Sequence, residues 1–135
     1  MAHLSRVQRR ILALLEEAGE LELVSMINTV AYPKGDPREI SAMQDALVGL
    51  YDHGYITLSC WLRPLSKTIE LKSEDVHKLL GRLTHLVVWS PETGFWKATP
   101  RTPFYNIEVT GHGYETACEI LEEEGYPNEP LSAYE

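Results

Sequence analysis

The spacing of apolar residues predicts helices in the first part of the chain. Between residues 4 and 18 apolar side chains recur every three or four positions, which places them on one face of a helix. Ser5 and Gln8 form a capping box that would begin this helix, and Gly19 would end it. A second, shorter stretch with the same spacing predicts a helix over residues 21–31.

The strongest start signal for a helix follows a loop rich in proline and glycine. Asp36 and Glu39 form a capping box, and Pro37 occupies the first helical position, where its missing N–H would have had no partner. We therefore predict a third helix over residues 37–53. Gly54 follows this helix and can adopt the left-handed backbone that ends it.

After the third helix the apolar period changes to two, which is typical of β-strands. The pattern predicts strands at residues 55–62, 68–72, 86–89, 95–98 and 104–109. Ser73 would cap a helix over residues 73–83, and Thr110 would begin a last helix that ends at Gly125. The remaining residues, 126–135, are predicted to form a flexible acidic tail.

The length and composition of the chain restrict its class. A chain of 135 residues, 44% of them apolar and 24% charged, is typical of one globular domain, which we predict over residues 1–125. No stretch reaches the ~18 apolar residues that a membrane helix needs, and the N-terminus lacks the pattern of a signal peptide. We therefore expect a cytoplasmic protein with no membrane partner, in which Cys60 and Cys118 are buried thiols.

The acidic residues are unevenly distributed along the chain. The formal net charge is −8, from 12 basic and 20 acidic residues. All 12 basic residues lie in residues 1–101, where acids balance them, while residues 102–135 contain acids and neither lysine nor arginine. A negative protein binds nucleic acid less readily because phosphates repel it, but the neutral part of the chain can still present a local basic surface.

Two sequence patterns resemble the winged helix-turn-helix family, and in particular its bacterial regulators. In that family a recognition helix ends in a Leu-x-x-x-Gly-x-Ile pattern, which residues 50–56 match. The last strand of the wing enters a helix through Leu-Thr-x-x-Gly, which residues 109–113 match with Val109 for leucine and His112 where lysine is common. The resemblance implies an α+β winged-helix fold with three N-terminal helices, a small antiparallel sheet with an inserted helix, and a C-terminal helix.

The resemblance leaves two candidates for the recognition helix. In the first arrangement residues 37–53 lead into the wing, and the helix at residues 73–83 is an insertion. In the second arrangement residues 73–83 precede the strand at residues 86–89, and the first three helices are an N-terminal addition. We favour the first arrangement.

The resemblance implies a transcriptional regulator that binds double-stranded DNA without catalysis. The side chains that would contact phosphates or bases lie on the first helix, around the start of the third helix and at the first hairpin. They are Arg6, Arg9, Arg10, Lys34, Arg38, Ser41, Arg63 and Lys67. On the outward face of the third helix Arg38 is nevertheless the single positive residue, and Asp45 and Asp52 would repel phosphates.

A protein-interaction module is the alternative function. Ala42 and Gly49 lie on the outward face of the third helix, where small side chains would let a partner approach closely. The acidic C-terminal helix could also bind a basic protein. Because winged-helix regulators often dimerise through terminal helices, the resemblance also implies a homodimer.

The sequence contains no pattern typical of an enzyme, a metal site or a cofactor site. The five histidines show no metal-ligand spacing, and the nine glycines do not cluster into a phosphate-binding loop before a helix. The aromatic residues of the predicted strands could line a small-molecule pocket, but we expect them to pack in the core. They are Trp61, Trp89, Phe95, Trp96, Phe104 and Tyr105.

Overall fold

The computed structural model describes residues 3–30, 33–62 and 67–125 and confirms the expected α+β class. The helices are α1 (Arg6–Ala18), α2 (Leu23–Val30), α3 (Pro37–Asp52), α4 (Ser73–Gly81), α5 (Leu83–Leu86) and α6 (Gly111–Glu124). The strands are β1 (Glu20–Glu22), β2 (Ile56–Leu62), β3 (Lys67–Glu70), β4 (Val87–Ser90), β5 (Phe95–Ala98) and β6 (Phe104–Val109). Arg63 and the predicted tail at residues 126–135 lie outside the described residues. Within the described ranges no helix has both the length and the apolar character that crossing a membrane requires.

The predicted starts of α1 and α3 are confirmed. The Ser5 hydroxyl accepts a hydrogen bond from the Gln8 N–H at 3.1 Å, and the Gln8 side chain accepts one from the Ser5 N–H at 2.9 Å. Asp36 and Glu39 form the equivalent box at α3, where the buried Glu39 also accepts the Lys34 N–H at 3.0 Å. Both boxes satisfy backbone donors that the start of a helix leaves without a partner.

The second helix begins later than predicted because residues 20–22 form strand β1. This strand pairs with β6, near the other end of the chain. The Glu22 carboxylate then accepts hydrogen bonds from the N–H groups of Val24 and Ser25 and so caps α2. A strand of three residues is too short to show a period of two, so local spacing wrongly assigned most of it to the helix.

The last strand of the chain lies in the middle of the main sheet. The strand order is β1–β6–β2–β3, and all neighbours are antiparallel. Between β3 and β6 the chain leaves this sheet and forms α4, α5 and a separate hairpin of β4 and β5. α3 leads into β2 through Gly54, which adopts the predicted left-handed conformation with φ 76°.

One cluster of buried side chains extends from α1 to α6. The hairpin joins this core, because the Asn28 side chain exchanges two hydrogen bonds of 2.9 Å with the backbone of Trp96. On the same side Gly35 lies against the Trp89 ring and leaves no room for a Cβ. The segment between β3 and β6 therefore packs back onto the N-terminal helices.

The C-terminal helix begins as predicted, with a close approach at Gly113. The Thr110 hydroxyl accepts the Gly113 N–H at 3.0 Å and donates to the Gly54 carbonyl at 2.7 Å. A Cβ on Gly113 would overlap the Tyr55 carbonyl oxygen, so glycine is what allows the helix to lie this close to the start of β2.

The helix predicted over residues 73–83 is corrected in two respects. It ends at Gly81, and a separate short helix begins at Leu83. Ser73 is the first helical residue and not the cap, which is Lys72 and makes no side-chain hydrogen bond to the helix start. The Ser73 carbonyl is instead engaged by the ring of His77, one turn later in the same helix.

Two expectations about burial are also wrong. Cys60 and Cys118 are free thiols, but each is only partly buried. Phe95 and Phe104 are 50% and 41% exposed, although we expected them in the core. They alternate with the inward residues of their strands, as Phe95 does with the buried Trp96, so the pleat turns them outward.

Candidate functional site

The main sheet has one buried face and one polar face. On the first face Ile56, Leu58 and Ile107 are at most 1% exposed. The other face carries the residues that alternate with these, and the register aligns them in three rows across the strands. The rows are Glu20–Glu108–Thr57, Glu22–Asn106–Ser59–Glu70 and Phe104–Trp61–Thr68. We call this set of residues the outer face.

Four glutamates and no basic residue make the outer face strongly acidic. Glu20 lies directly opposite Glu108, an arrangement that destabilises paired strands through like-charge repulsion. The Ser59 hydroxyl donates a hydrogen bond to Glu108 at 3.4 Å. In the part of the chain that the structure describes, no lysine or arginine forms an ion pair with any of the four glutamates. The negative charge of this face is therefore not neutralised by those residues.

Glu22 differs from the other glutamates of the outer face because it caps α2. Burial raises the pKa of Glu22 above its ordinary value, although the hydrogen bonds from Val24 and Ser25 favour the charged form. Its carboxylate is thus already engaged by the backbone. Glu20, Glu70 and Glu108 lie within strands and do not cap a helix start.

Two aromatic rings border the acidic rows. Trp61 and Phe104 are cross-strand neighbours whose rings meet edge to face, with centroids 5.8 Å apart. The exposed Phe104 ring is an unusual surface residue, because large apolar side chains are mostly buried. The outer face thus combines carboxylates with an accessible aromatic surface, which suits arginine side chains through ion pairs and cation–π contacts.

Two of the predicted DNA-binding arginines form ion pairs within the chain. Arg9 pairs with Glu124, at the end of α6, at 3.0 Å. Arg38 pairs with Asp36 at 2.6 Å, and its Nε also donates to the same carboxylate at 3.0 Å. These contacts offset two of the positive charges that the sequence offered to phosphates.

The other predicted DNA-binding residues are divided among several elements. Arg6 and Arg10 lie on α1, and Lys67 is exposed on β3, at the edge of the main sheet. Lys34 and Ser41 are exposed around the start of α3, beside Arg38. Arg63 lies outside the described residues. Three of the predicted residues therefore lie around the start of α3, while Arg9 pairs with α6.

On the outward side of α3, a side chain of α1 occupies the space beside Gly49. The Gln8 amide of α1 lies where a Cβ on Gly49 would be, and it donates to the Ala46 carbonyl at 3.3 Å. The expected partner surface at Ala42 and Gly49 is thus not open at Gly49. The small residue there accommodates a neighbouring helix of the same chain.

Asp52, near the end of α3, is bound to α4. The two ring nitrogens of His77 contact the Ser73 carbonyl and the Asp52 carboxylate, each at 2.7 Å. Both contacts raise the pKa of His77 above its ordinary 6.5, the Ser73 contact first, because both favour a ring with two N–H donors. This pair joins α3 to the segment between β3 and β6.

Comparisons with known proteins give no relative. No model of a protein family matches the chain, and no curated protein and no solved structure matches it. Within residues 3–30, 33–62 and 67–125, no three potential metal ligands lie close enough together to hold an ion.

Sequence reasoning missed the outer face. The alternation of Asn106 and Glu108 with apolar residues was visible, and it indicated one polar side of β6. Nothing local indicated that Glu20 would lie beside Glu108, because that neighbourhood depends on which strands pair. The acidic rows appear when residues from four strands are aligned.

Proposed function

We propose that this chain is a non-catalytic binding protein whose outer face holds a basic segment of a partner protein. The observation that carries the proposal is the direct opposition of Glu20 and Glu108 in a face with four glutamates and no basic residue. This opposition costs stability in the free chain. A partner that brings positive side chains to this place relieves the repulsion and gains affinity from complementary charge.

The aromatic border narrows the chemistry of the proposed partner. An arginine guanidinium can pair with a glutamate and also stack on the rings of Phe104 and Trp61, whereas a lysine ammonium is a more strongly hydrated point charge. We therefore propose an arginine-rich segment. The acidic helix α6 is a weaker candidate surface, because its Glu124 already pairs with Arg9.

We also propose that the scaffold is a winged helix. Three helices before β2, an antiparallel sheet in which β2 pairs with β6, and a helix directly after β6 support this proposal. In this interpretation α3 corresponds to the recognition helix, and the segment from β3 to β5 is inserted into the wing. Dimerisation through terminal helices stays a prediction.

Binding of double-stranded DNA is the second candidate function. The exposed Lys34, Arg38 and Ser41 around the start of α3 favour it, because a recognition helix contacts bases with its first turns. Against it, Asp36 pairs with Arg38, and the exposed Asp45 lies on the next turn. A duplex therefore meets less positive charge here than the sequence alone suggested.

Fluorescence anisotropy distinguishes the two candidates. The chain is titrated into a labelled oligo-arginine peptide and, separately, into a labelled random-sequence duplex, each at low and at moderate salt. We expect saturable binding of the peptide that weakens with salt, and no binding of the duplex. Tighter binding of the duplex than of the peptide would replace the proposal by DNA binding.

A pair of charge-matched variants tests the place of binding. One variant carries Glu20→Gln and Glu108→Gln, and the other carries Glu17→Gln and Glu92→Gln, at exposed sites outside the outer face. Both variants lose the same net charge. We expect the first to bind the peptide about tenfold more weakly and the second by less than about twofold. Equal losses would show that net charge alone attracts the peptide and would overturn the proposal.

A further inference from the structure

Two adjoining cavities open beside the main sheet, at the end where β2 stops and β6 begins. The larger has a volume of about 610 Å³ and the smaller about 370 Å³. Cys60, Leu86 and Tyr105 line both, so these side chains form a shared floor between the two cavities. Cys60 and Tyr105 are cross-strand neighbours in β2 and β6. Together the cavities have a size that is usual for small-molecule sites.

The larger cavity is mainly apolar. Its walls include Leu62, Pro100 and Pro103, and its polar side chains include Glu22. The Glu22 carboxylate already accepts two backbone N–H groups at the start of α2. A ligand in this cavity thus meets mainly apolar walls, because the Glu22 carboxylate is already hydrogen-bonded to the backbone.

Two cationic side chains line the smaller cavity. Arg82 and Lys78 line it together with one acid, Asp75. Lys78 pairs with Glu74 at 3.3 Å, but the Arg82 guanidinium forms no ion pair with any residue that the structure describes. The larger cavity therefore has one charged lining residue, Glu22, while the smaller has two cations and one acid.

We propose that these cavities bind a small molecule that joins an apolar body to a carboxylate. The carboxylate contacts Arg82, and the apolar body crosses the floor at Cys60 and Tyr105 into the larger cavity. This orientation is favoured because Arg82 and Lys78 outnumber Asp75 in the smaller cavity, whereas the charged lining residue of the larger cavity, Glu22, repels an anion. The opposite orientation, with a cationic ligand near Glu22, has less to gain since that carboxylate is already hydrogen-bonded.

This inference does not depend on the proposed function. Trp61, Phe104 and Glu22 belong to the outer face and also line the larger cavity, so the two places adjoin. Cys60 and Arg82 lie outside the outer face. Substitutions at Cys60 and Arg82 therefore test the cavity without removing the glutamates that the proposed function requires.

Decanoate is a suitable probe, with decanol and decylamine as ligands that match its apolar body. Calorimetric titration of the whole chain should show saturable binding of decanoate and at least tenfold weaker binding of decylamine. We expect Arg82→Gln to weaken the binding of decanoate about tenfold, because the substitution removes one charge-assisted hydrogen bond. The affinity for decanol, which carries no charge, should stay unchanged. Arg101→Gln, at an exposed arginine that lines neither cavity, is the matched control and should bind like the unaltered chain.

Alkylation of Cys60 supplies a second readout. Burial raises the pKa of the Cys60 thiol, so its reaction with iodoacetamide is slow, and a bound ligand should slow it further. Cys118 lines neither cavity and serves as the internal control when the two sites are quantified by mass spectrometry. Protection of Cys60 alone by decanoate supports the proposal. Absence of saturable binding, equal affinity for decylamine, or equal effects of Arg82→Gln and Arg101→Gln overturns it.

Discussion

Gln8 on α1 occupies the space that Gly49 leaves on α3, and its amide donates a hydrogen bond to the Ala46 carbonyl. A glycine inside a helix ordinarily costs about 1 kcal/mol relative to alanine. In this chain the glycine lets two helices approach each other. The small residue that suggested an external partner is explained by an internal contact.

This relationship predicts that the effects of substitutions at Gln8 and Gly49 are not additive. Once Gln8 is replaced by alanine, Gly49→Ala should stabilise the chain by about 1 kcal/mol, because the space is empty and alanine favours the helix. With Gln8 present, the same substitution displaces the amide, and the gain should stay below about 0.5 kcal/mol. Denaturant unfolding of the four chains of this cycle measures the coupling. Additive effects would mean that Gln8 does not fill this space.

Gly113 should tolerate no larger residue. A Cβ there meets the backbone carbonyl of Tyr55, which cannot turn away as a flexible side chain can. We expect Gly113→Ala to lower the free energy of unfolding by about 2 kcal/mol. Gly111→Ala is the control in the same helix, because a Cβ at Gly111 meets nothing within 4 Å, and it should change stability little. Thermal or denaturant unfolding compares them, and a neutral Gly113→Ala would contradict the close approach.

Neutralising Glu20 should stabilise the free chain. Glu20→Gln removes the repulsion from Glu108, for which cross-strand pairs suggest about 0.5 kcal/mol. Added salt should stabilise the unaltered chain more than the variant, because salt screens the same repulsion. Glu92→Gln, in the exposed turn between β4 and β5, removes one charge elsewhere and should have little effect. If both variants respond alike, the opposition of Glu20 and Glu108 has no particular cost.

The ion pair of His77 and Asp52 should make stability depend on pH. The pKa of His77 is raised in the folded chain, so its contribution is complete below the unfolded value and is lost as pH rises through the folded value. We therefore expect His77→Gln to be more destabilising near pH ~5 than near pH ~8. His85→Gln, at an exposed histidine of α5 in the same segment between β3 and β6, provides the comparison. A difference between His77→Gln and the unaltered chain that does not vary with pH would contradict this assignment.

Local sequence signals were sufficient to predict most of the helices and strands. They were insufficient to predict which of these elements lie side by side. The capping boxes at Ser5 and Asp36 act within one turn of backbone, so the sequence predicted where α1 and α3 begin. Thr110 was also predicted to begin the last helix, and its hydroxyl accepts the Gly113 N–H. β1 was missed, because its three residues become a strand through pairing with β6.

The candidate site was harder to predict because the charge that a surface presents depends on which side chains form ion pairs in the folded chain. Arg9 and Arg38 were read as cations open to phosphate, but Glu124 and Asp36 pair with them in the folded chain. Asp36 was already visible as a helix cap, yet its second role required the side-chain geometry of Arg38. His112 likewise stands where the resembled family has lysine, and its ring stacks on Tyr55 with centroids 4.6 Å apart.

The central place of β6 has a consequence for how the chain is made. β6 supplies hydrogen-bonded neighbours to both β1 and β2, yet it is synthesised after them and after the whole segment that includes the hairpin. A nascent chain that lacks residues 104–109 would leave facing edges of β1 and β2 without partners, and open edges invite association with other chains. Such distant pairings also slow folding, because the ends of a long loop must meet before any hydrogen bond forms between them. Completion of the sheet is thus a late event, because β6 must leave the ribosome after the other three strands and after the whole segment between β3 and β6.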